Sequence, residues 1–179
     1  DGAEVAMSRQ QGLSVSTRLG DVENVEFTND GGLGITVYKG GRKGSASTAD
    51  LSEKALKQAI EAAVNIAKYT SVDEYSGMAD KELLAMNPPD LDLYHPQELT
   101  TEQAISLAKE CEDTALAYDK RITNSDGATL ASFEGFKVYG NSHGQIVGYP
   151  STRHSLSCVM IANEGDDMQR DYAYTVSRE

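Results

Sequence analysis

Apolar side chains recur at every second position through much of the first fifty residues. Leu13, Val15, Thr17 and Leu19 share one parity, while Ser14, Ser16 and Arg18 share the other. Val5 and Met7, Val25 and Phe27, and Leu33, Ile35 and Val37 repeat the pattern. A period of two puts one set of side chains on each face of a strand, so these runs read as strands with one covered face and one wet face. Gln11-Gly12, Gly20-Asp21, Asn29-Asp30-Gly31-Gly32 and Gly40-Gly41 interrupt them with residues that tolerate turns. About four or five short strands, joined as an antiparallel meander, are expected before residue 49.

The period then changes. Asp50-Leu51-Ser52-Glu53 has the chemistry of a helix start, with Asp50 read as the acceptor for free N–H groups and Glu53 reaching back. Leu56, Ala59, Ile60, Ala63, Ile66 and Ala67 follow at helical spacing, and the stripe ends near Tyr69-Thr70. Its alanine content predicts a helix lying close against the sheet. Residues 71–99 contain Asn87-Pro88-Pro89 and His95-Pro96, which exclude regular helix. One helical turn fits Asp80 to Ala85, and Leu83, Leu84, Leu91 and Leu93 call for partial burial. A second helix spans Thr100 to Tyr118, with Thr100 and Gln103 suited to a capping box and Ala104, Leu107, Ala108, Cys111 and Ala115 on one stripe. Past a turn at Asn124-Ser125-Asp126-Gly127, strands are expected at Phe136 to Tyr139, Gln145 to Tyr149, Ser155 to Ile161 and Tyr172 to Val176.

The expected fold is α+β: a mostly antiparallel twisted sheet with two main helices packed on one face. Along the chain it divides into a β-meander and helix lobe (1–72), a proline-containing connector (73–99), and a helix and β-rich lobe (100–179). Alternation that continues to the last residues suggests that the chain is cut inside a larger protein.

Composition narrows the function. The 179 residues carry a formal charge of −12, and the longest basic run is Arg42-Lys43. Such a surface repels phosphate backbones and anionic lipid, so nucleic acid and membrane surfaces are not expected partners. No apolar run is long enough to span a bilayer. Cys111 and Cys158 are read as free thiols in a reducing cytoplasm.

Few motifs carry chemistry. A zinc site needs three or four converging ligands, usually two of them close in sequence. His95, His143 and His154 are scattered, although His143 and His154 could meet across strands, with Cys158 on the parity of His154. Ser142-His143 and His154-Ser155 are adjacent pairs, which point to opposite faces of a strand and make poor triads. Gly40 to Ser45 lacks phosphate-loop spacing, and Asn29 to Gly32 lacks the downstream glutamate of a calcium loop. No catalytic residue and no metal ligand is therefore assigned. The segment Asn141 to Ser155 is the best candidate for touching a peptide: Asn141, His143, Arg153 and His154 offer polar groups and Tyr149 an apolar face. Strand addition at an open sheet edge would supply the backbone contacts. The alternative is that these polar groups only satisfy turns.

Several segments, in order, resemble the PmbA/TldE family: Val22 to Phe27, Gly34 to Tyr38, Arg42 to Ser47, Asp90 to Pro96, Lys120 to Asn124, Tyr139 to Gly144, Thr152 to Ser155, and Arg170 to Tyr174. The resemblance implies a cytoplasmic protein more than twice this length that pairs with a TldD subunit, the three parts read above together forming its N-terminal domain. It also implies a zinc metallopeptidase acting on peptides and unfolded proteins, with the zinc ligands on a His-Glu-x-x-x-His helix of TldD. No position here matches that motif, so the resemblance implies a non-catalytic lobe without a cofactor of its own. The family's old label as a modulator of DNA gyrase gains no support, as direct DNA binding, from an acidic chain. A regulatory protein-interaction module without a role in proteolysis is the alternative.

Overall fold

A computed structural model describes all residues from Asp1 to Glu179. In chain order the elements are β1 (Gly2–Arg18), β2 (Asp21–Lys39), β3 (Arg42–Thr48), α1 (Glu53–Tyr69), a single 3-10 turn (Lys81–Leu83), α2 (Thr101–Leu116), β4 (Ile122–Asn141), β5 (Ile146–Glu164) and β6 (Asp167–Ser177). The strands form one six-stranded antiparallel sheet in the order β3-β2-β1-β4-β5-β6. β2 and β3 pair from Leu33↔Thr48 to Lys39↔Arg42, and β5 and β6 from His154↔Ser177 to Glu164↔Asp167. The α+β class expected from the pattern is the one observed.

The strand count is corrected. Two long strands and one of seven residues, not four or five short ones, precede residue 49. Gly12 is not a turn: a Cβ there would lie 2.3 Å from the Ser132 carbonyl oxygen and 2.4 Å from Phe133 Cδ1. Glycine at this position lets two backbones approach within one continuous strand. Asn124 to Gly127 likewise lies inside β4, where Gly127 (φ 104°) faces the Thr17 carbonyl. Before residue 49 the hairpin loops are Leu19-Gly20 (φ 49° and 83°) and Gly40-Gly41 (φ 57° and 69°). Consecutive left-handed residues twist a two-residue loop in the sense of its strands.

The chain separates into two compact units, each assembled from three stretches. The first comprises Asp1–Arg9, Asp30–Asp92 and Gly135–Pro150; the second comprises Gln10–Asn29, Leu93–Glu134 and Ser151–Glu179. β1, β2, β4 and β5 each contribute residues to both units.

In the first unit, α1 buries Ala59, Ala63 and Ala67, and Ala59 and Ala63 pack on Ile35 beside Val5, Leu33, Val37 and Ala46. Ser52, rather than Asp50, caps the helix, its hydroxyl accepting from Ala55 N–H, while Asp50 accepts from Ser52 N–H. Ile60 and Ile66 remain nearly half exposed, since only the narrow alanine seam fits against the sheet. Leu83 and Leu91 are exposed, contrary to expectation, while Leu84 and Leu93 are half-buried.

In the second unit, Ala104 and Ala108 of α2 close a cluster with Leu13, Val15, Ala128, Leu130 and Cys158. Thr100 and Gln103 make both hydrogen bonds of the capping box. Thr17 is fully buried, and its hydroxyl has no hydrogen-bond partner. Burying an unpaired hydroxyl costs free energy that a methyl group would not. Thr17→Val, nearly the same shape, is therefore expected to raise stability by about 1 kcal/mol. Urea denaturation of the two proteins checks this; a valine variant less stable than the parent would show that the hydroxyl is satisfied.

Candidate functional site

The five residues singled out from the sequence fall in different places. Asn141, His143 and Tyr149 belong to the first unit, and Arg153 and His154 to the second. Asn141 builds the turn between β4 and β5: its Oδ1 accepts from the His143 and Gln145 N–H groups at 3.1 and 3.3 Å. Its amide also donates to Tyr139 Oη and Gln145 Oε1. His143 sits in that turn with a half-buried ring, and Tyr149 is exposed on β5. Arg153 is exposed, while its neighbour His154 is half-buried, as the alternation of a strand requires.

His154 organises the most developed polar network. Its Nε2 lies 3.1 Å from the His95 carbonyl oxygen, which can only accept, so Nε2 carries the proton. Nδ1 lies 2.9 Å from Ser132 Oγ and, in that neutral tautomer, accepts from the hydroxyl. Thr152, two residues earlier on the same face, is also buried. Its N–H donates to the Leu93 carbonyl at 2.9 Å, and its Oγ1 accepts from His95 N–H at 3.0 Å. Between these anchors, Tyr94 Oη donates to Glu134 Oε2 at 2.7 Å, and Gln11 Nε2 donates to Glu134 Oε1 at 2.6 Å. Donation from Gln11, then from Tyr94, holds the Glu134 carboxyl below its ordinary range. The same carboxylate pushes the Tyr94 phenol up. Residues 93–95 are thus lashed to β4 and β5.

Beside this network opens a cleft of about 390 Å³. Gln11, Gly12 and Leu13 of β1, Phe27 to Asn29 of β2, Ser132 to Glu134 of β4 and Thr152 and His154 of β5 line it, with Pro96, Gln97 and Leu99 before α2. Phe27 is 71% exposed. Clefts of this size with mixed apolar walls and a few convergent polar groups are the usual form of small-ligand sites.

The side chains present do not fit a zinc ion. No three His, Cys, Asp or Glu side chains converge to hold a metal. Both ring nitrogens of His154 are already engaged. Cys158 is buried in the α2 cluster. Its thiol is pushed up to about 11, by burial first and then by Cys111, which disfavours the thiolate a metal needs. The Ser132–His154 pair is not a hydrolytic triad either, since the far nitrogen meets a backbone carbonyl instead of a carboxylate.

Sequence reasoning found His154 but not its partners. Ser132, Glu134 and Gln11 meet it or its neighbours through strand register, and no local spacing announces that. Tyr94 stood only inside a family-like segment, and His95 was weighed as a scattered histidine, not for its backbone carbonyl.

Residues 3–67 match a family model described as PmbA/TldA metallopeptidase domain 1, and residues 94–179 match the PmbA/TldA metallopeptidase central domain. The chain is 60% identical, over 178 residues, to the metalloprotease PmbA of Escherichia coli O157:H7, covering 99% of the chain and 40% of the relative. It is 56% identical over 177 residues to the metalloprotease PmbA homolog of Haemophilus influenzae, covering 99% and 39%. The crystal structure of a putative modulator of DNA gyrase from Bacteroides thetaiotaomicron superposes with a TM-score of 0.87 at 29% identity, covering 99% of the chain and 41% of that protein. TldE from Thermococcus kodakarensis shares the fold at a TM-score of 0.71 and 19% identity, covering 100% and 40%. The chain spans about 40% of the length of these curated relatives.

Proposed function

The chain belongs to the PmbA/TldD metallopeptidase family, and we propose that it forms the non-catalytic, peptide-handling part of a PmbA/TldE subunit that works beside a TldD-like subunit. On this reading zinc sits in the partner, the substrates are peptides or unfolded protein segments, and the assembly acts in the cytoplasm. One observation carries the proposal: the imidazole best placed at a cleft, His154, has both nitrogens engaged, one by the His95 carbonyl and one by the Ser132 hydroxyl, an arrangement suited to organising a binding surface rather than a hydrolytic centre. The buried, protonation-favouring environment of the Cys158 thiol and the lack of a converging ligand set are in keeping with the same reading. The acidic chain gives no physical support to direct DNA binding, whatever a fold relative is called.

The experiment mixes the family-length protein with a TldD-like subunit and follows cleavage of an unfolded peptide. Cleavage is expected only when both are present, and it should disappear with a zinc chelator. Zinc-dependent cleavage by the family-length protein without a partner would overturn the proposal.

A further inference from the structure

The lining of the cleft beside His154 carries a single formal charge. Glu134 is the only Asp, Glu, Lys or Arg among its lining residues. Its two oxygens each accept one hydrogen bond, from Gln11 and from Tyr94, and a carboxylate has about four acceptor sites. Two donors therefore fix the carboxylate in place and leave acceptor capacity for a third. His154 offers the cleft no free donor, because Nε2–H is spent on the His95 carbonyl and Nδ1 on Ser132. Nothing charged nearby in the lining competes for Glu134.

The apolar part of the cleft is equally defined. Phe27 stands mostly exposed, with Phe133 and Leu99 also lining the space. Burying an aromatic ring of this kind against an incoming side chain is favourable, and little in the unbound chain supplies that burial. A volume of about 390 Å³ admits a short peptide segment but not a folded element. The net charge of −12 draws cations toward the surface and repels acidic ligands.

We propose that this cleft is a subsite for a hydrophobic side chain lying next to a cationic nitrogen of an extended peptide. The side chain packs on Phe27, Phe133 and Leu99, and the cation sits on the Glu134 carboxylate. This deepens the peptide-handling reading and rests on it. The cation has two sources with the same chemistry, a peptide amino terminus or a Lys or Arg side chain, and the test separates them.

Four hexapeptides labelled at the C-terminus are titrated with the family-length protein alone, and fluorescence anisotropy reads binding. One begins with a free amino-terminal Phe. The second is the same peptide acetylated. The third is acetylated with Lys beside Phe, and the fourth is acetylated with Glu beside Phe. At least one cationic peptide is expected to bind about tenfold more tightly than its neutral counterpart, and the acidic one most weakly. Preference for the first identifies the amino terminus; preference for the third identifies the side chain. Glu134→Gln should abolish the advantage of the cationic peptide over the neutral one. Phe27→Ser, a change at an exposed position, should weaken every peptide about fivefold or more. Equal binding of cationic and neutral peptides, no binding at all, or unchanged discrimination in Glu134→Gln would each overturn the subsite. Selective binding without cleavage in the presence of a TldD-like subunit would leave the subsite standing and remove the peptidase reading instead.

Discussion

Gly44→Ala is expected to cost about 3 kcal/mol and to lift α1 from the sheet. Gly44 lies on β3, directly under the alanine seam of the helix. A Cβ there would fall 2.1 Å from the Ala63 carbonyl oxygen, 2.4 Å from the Ala67 nitrogen and 3.0 Å from the Ala67 Cα. All three are backbone atoms, so no side chain can swing away and the helix itself must move. Movement would open the contact of Ala59 and Ala63 with Ile35. Gly77 provides the control: a Cβ there meets nothing within 4 Å. Gly77→Ala should therefore leave stability within about 0.5 kcal/mol of the parent. Urea denaturation gives the two free energies, and hydrogen exchange along α1 shows whether the loss is local. Equal stability of the two variants would mean that the helix does not rest on Gly44.

Glu112→Ala should be nearly as damaging, at about 3 kcal/mol or more. Glu112 is on α2 and is fully buried. Its carboxylate accepts from Leu19 N–H at 2.9 Å and from Gly20 N–H at 3.4 Å, the two residues of the β1–β2 hairpin loop. Leu19 adopts φ 49°, a conformation that costs a side-chain-bearing residue free energy, so the loop depends on an outside partner. Truncation removes both acceptors, strands two donors and leaves a void beside the α2 cluster. Glu112→Gln keeps one acceptor oxygen but turns an amide toward the second donor, and about half the loss is expected. Denaturation midpoints check the order Glu112, Gln, Ala. Fast amide exchange at Leu19 and Gly20 in the alanine variant alone would show the loop to be the site of damage. A fully stable alanine variant would mean that solvent satisfies these N–H groups unaided.

Much of the second unit's α2 was legible locally. The Thr100–Gln103 box closes between residues three apart, so its chemistry is complete within one turn. The Gly40-Gly41 hairpin was legible for the same reason, since its strain is that of its own two residues. Other glycines misled. Gly12 and Gly31 look like turn residues, yet β1 and β2 pass straight through them. At Gly12 the cause is the Ser132 backbone, 120 positions away in the chain.

The candidate site divides in the same way. The sequence pointed to His154 as an imidazole on a strand amid small polar residues. It contained no sign that Ser132 would supply one hydrogen bond and the His95 carbonyl the other. Nor did it show that Tyr94 and Gln11 would hold Glu134 between them.

Alternation, caps and paired hairpin glycines determined by themselves that this chain makes an antiparallel sheet with two alanine-seamed helices. Their energetics close within a few residues. Only tertiary structure decided which glycines are contacts, where the Glu112 carboxylate lands and which groups face the cleft. Those outcomes depend on strand neighbours and register, and register is set by packing summed over the whole sheet.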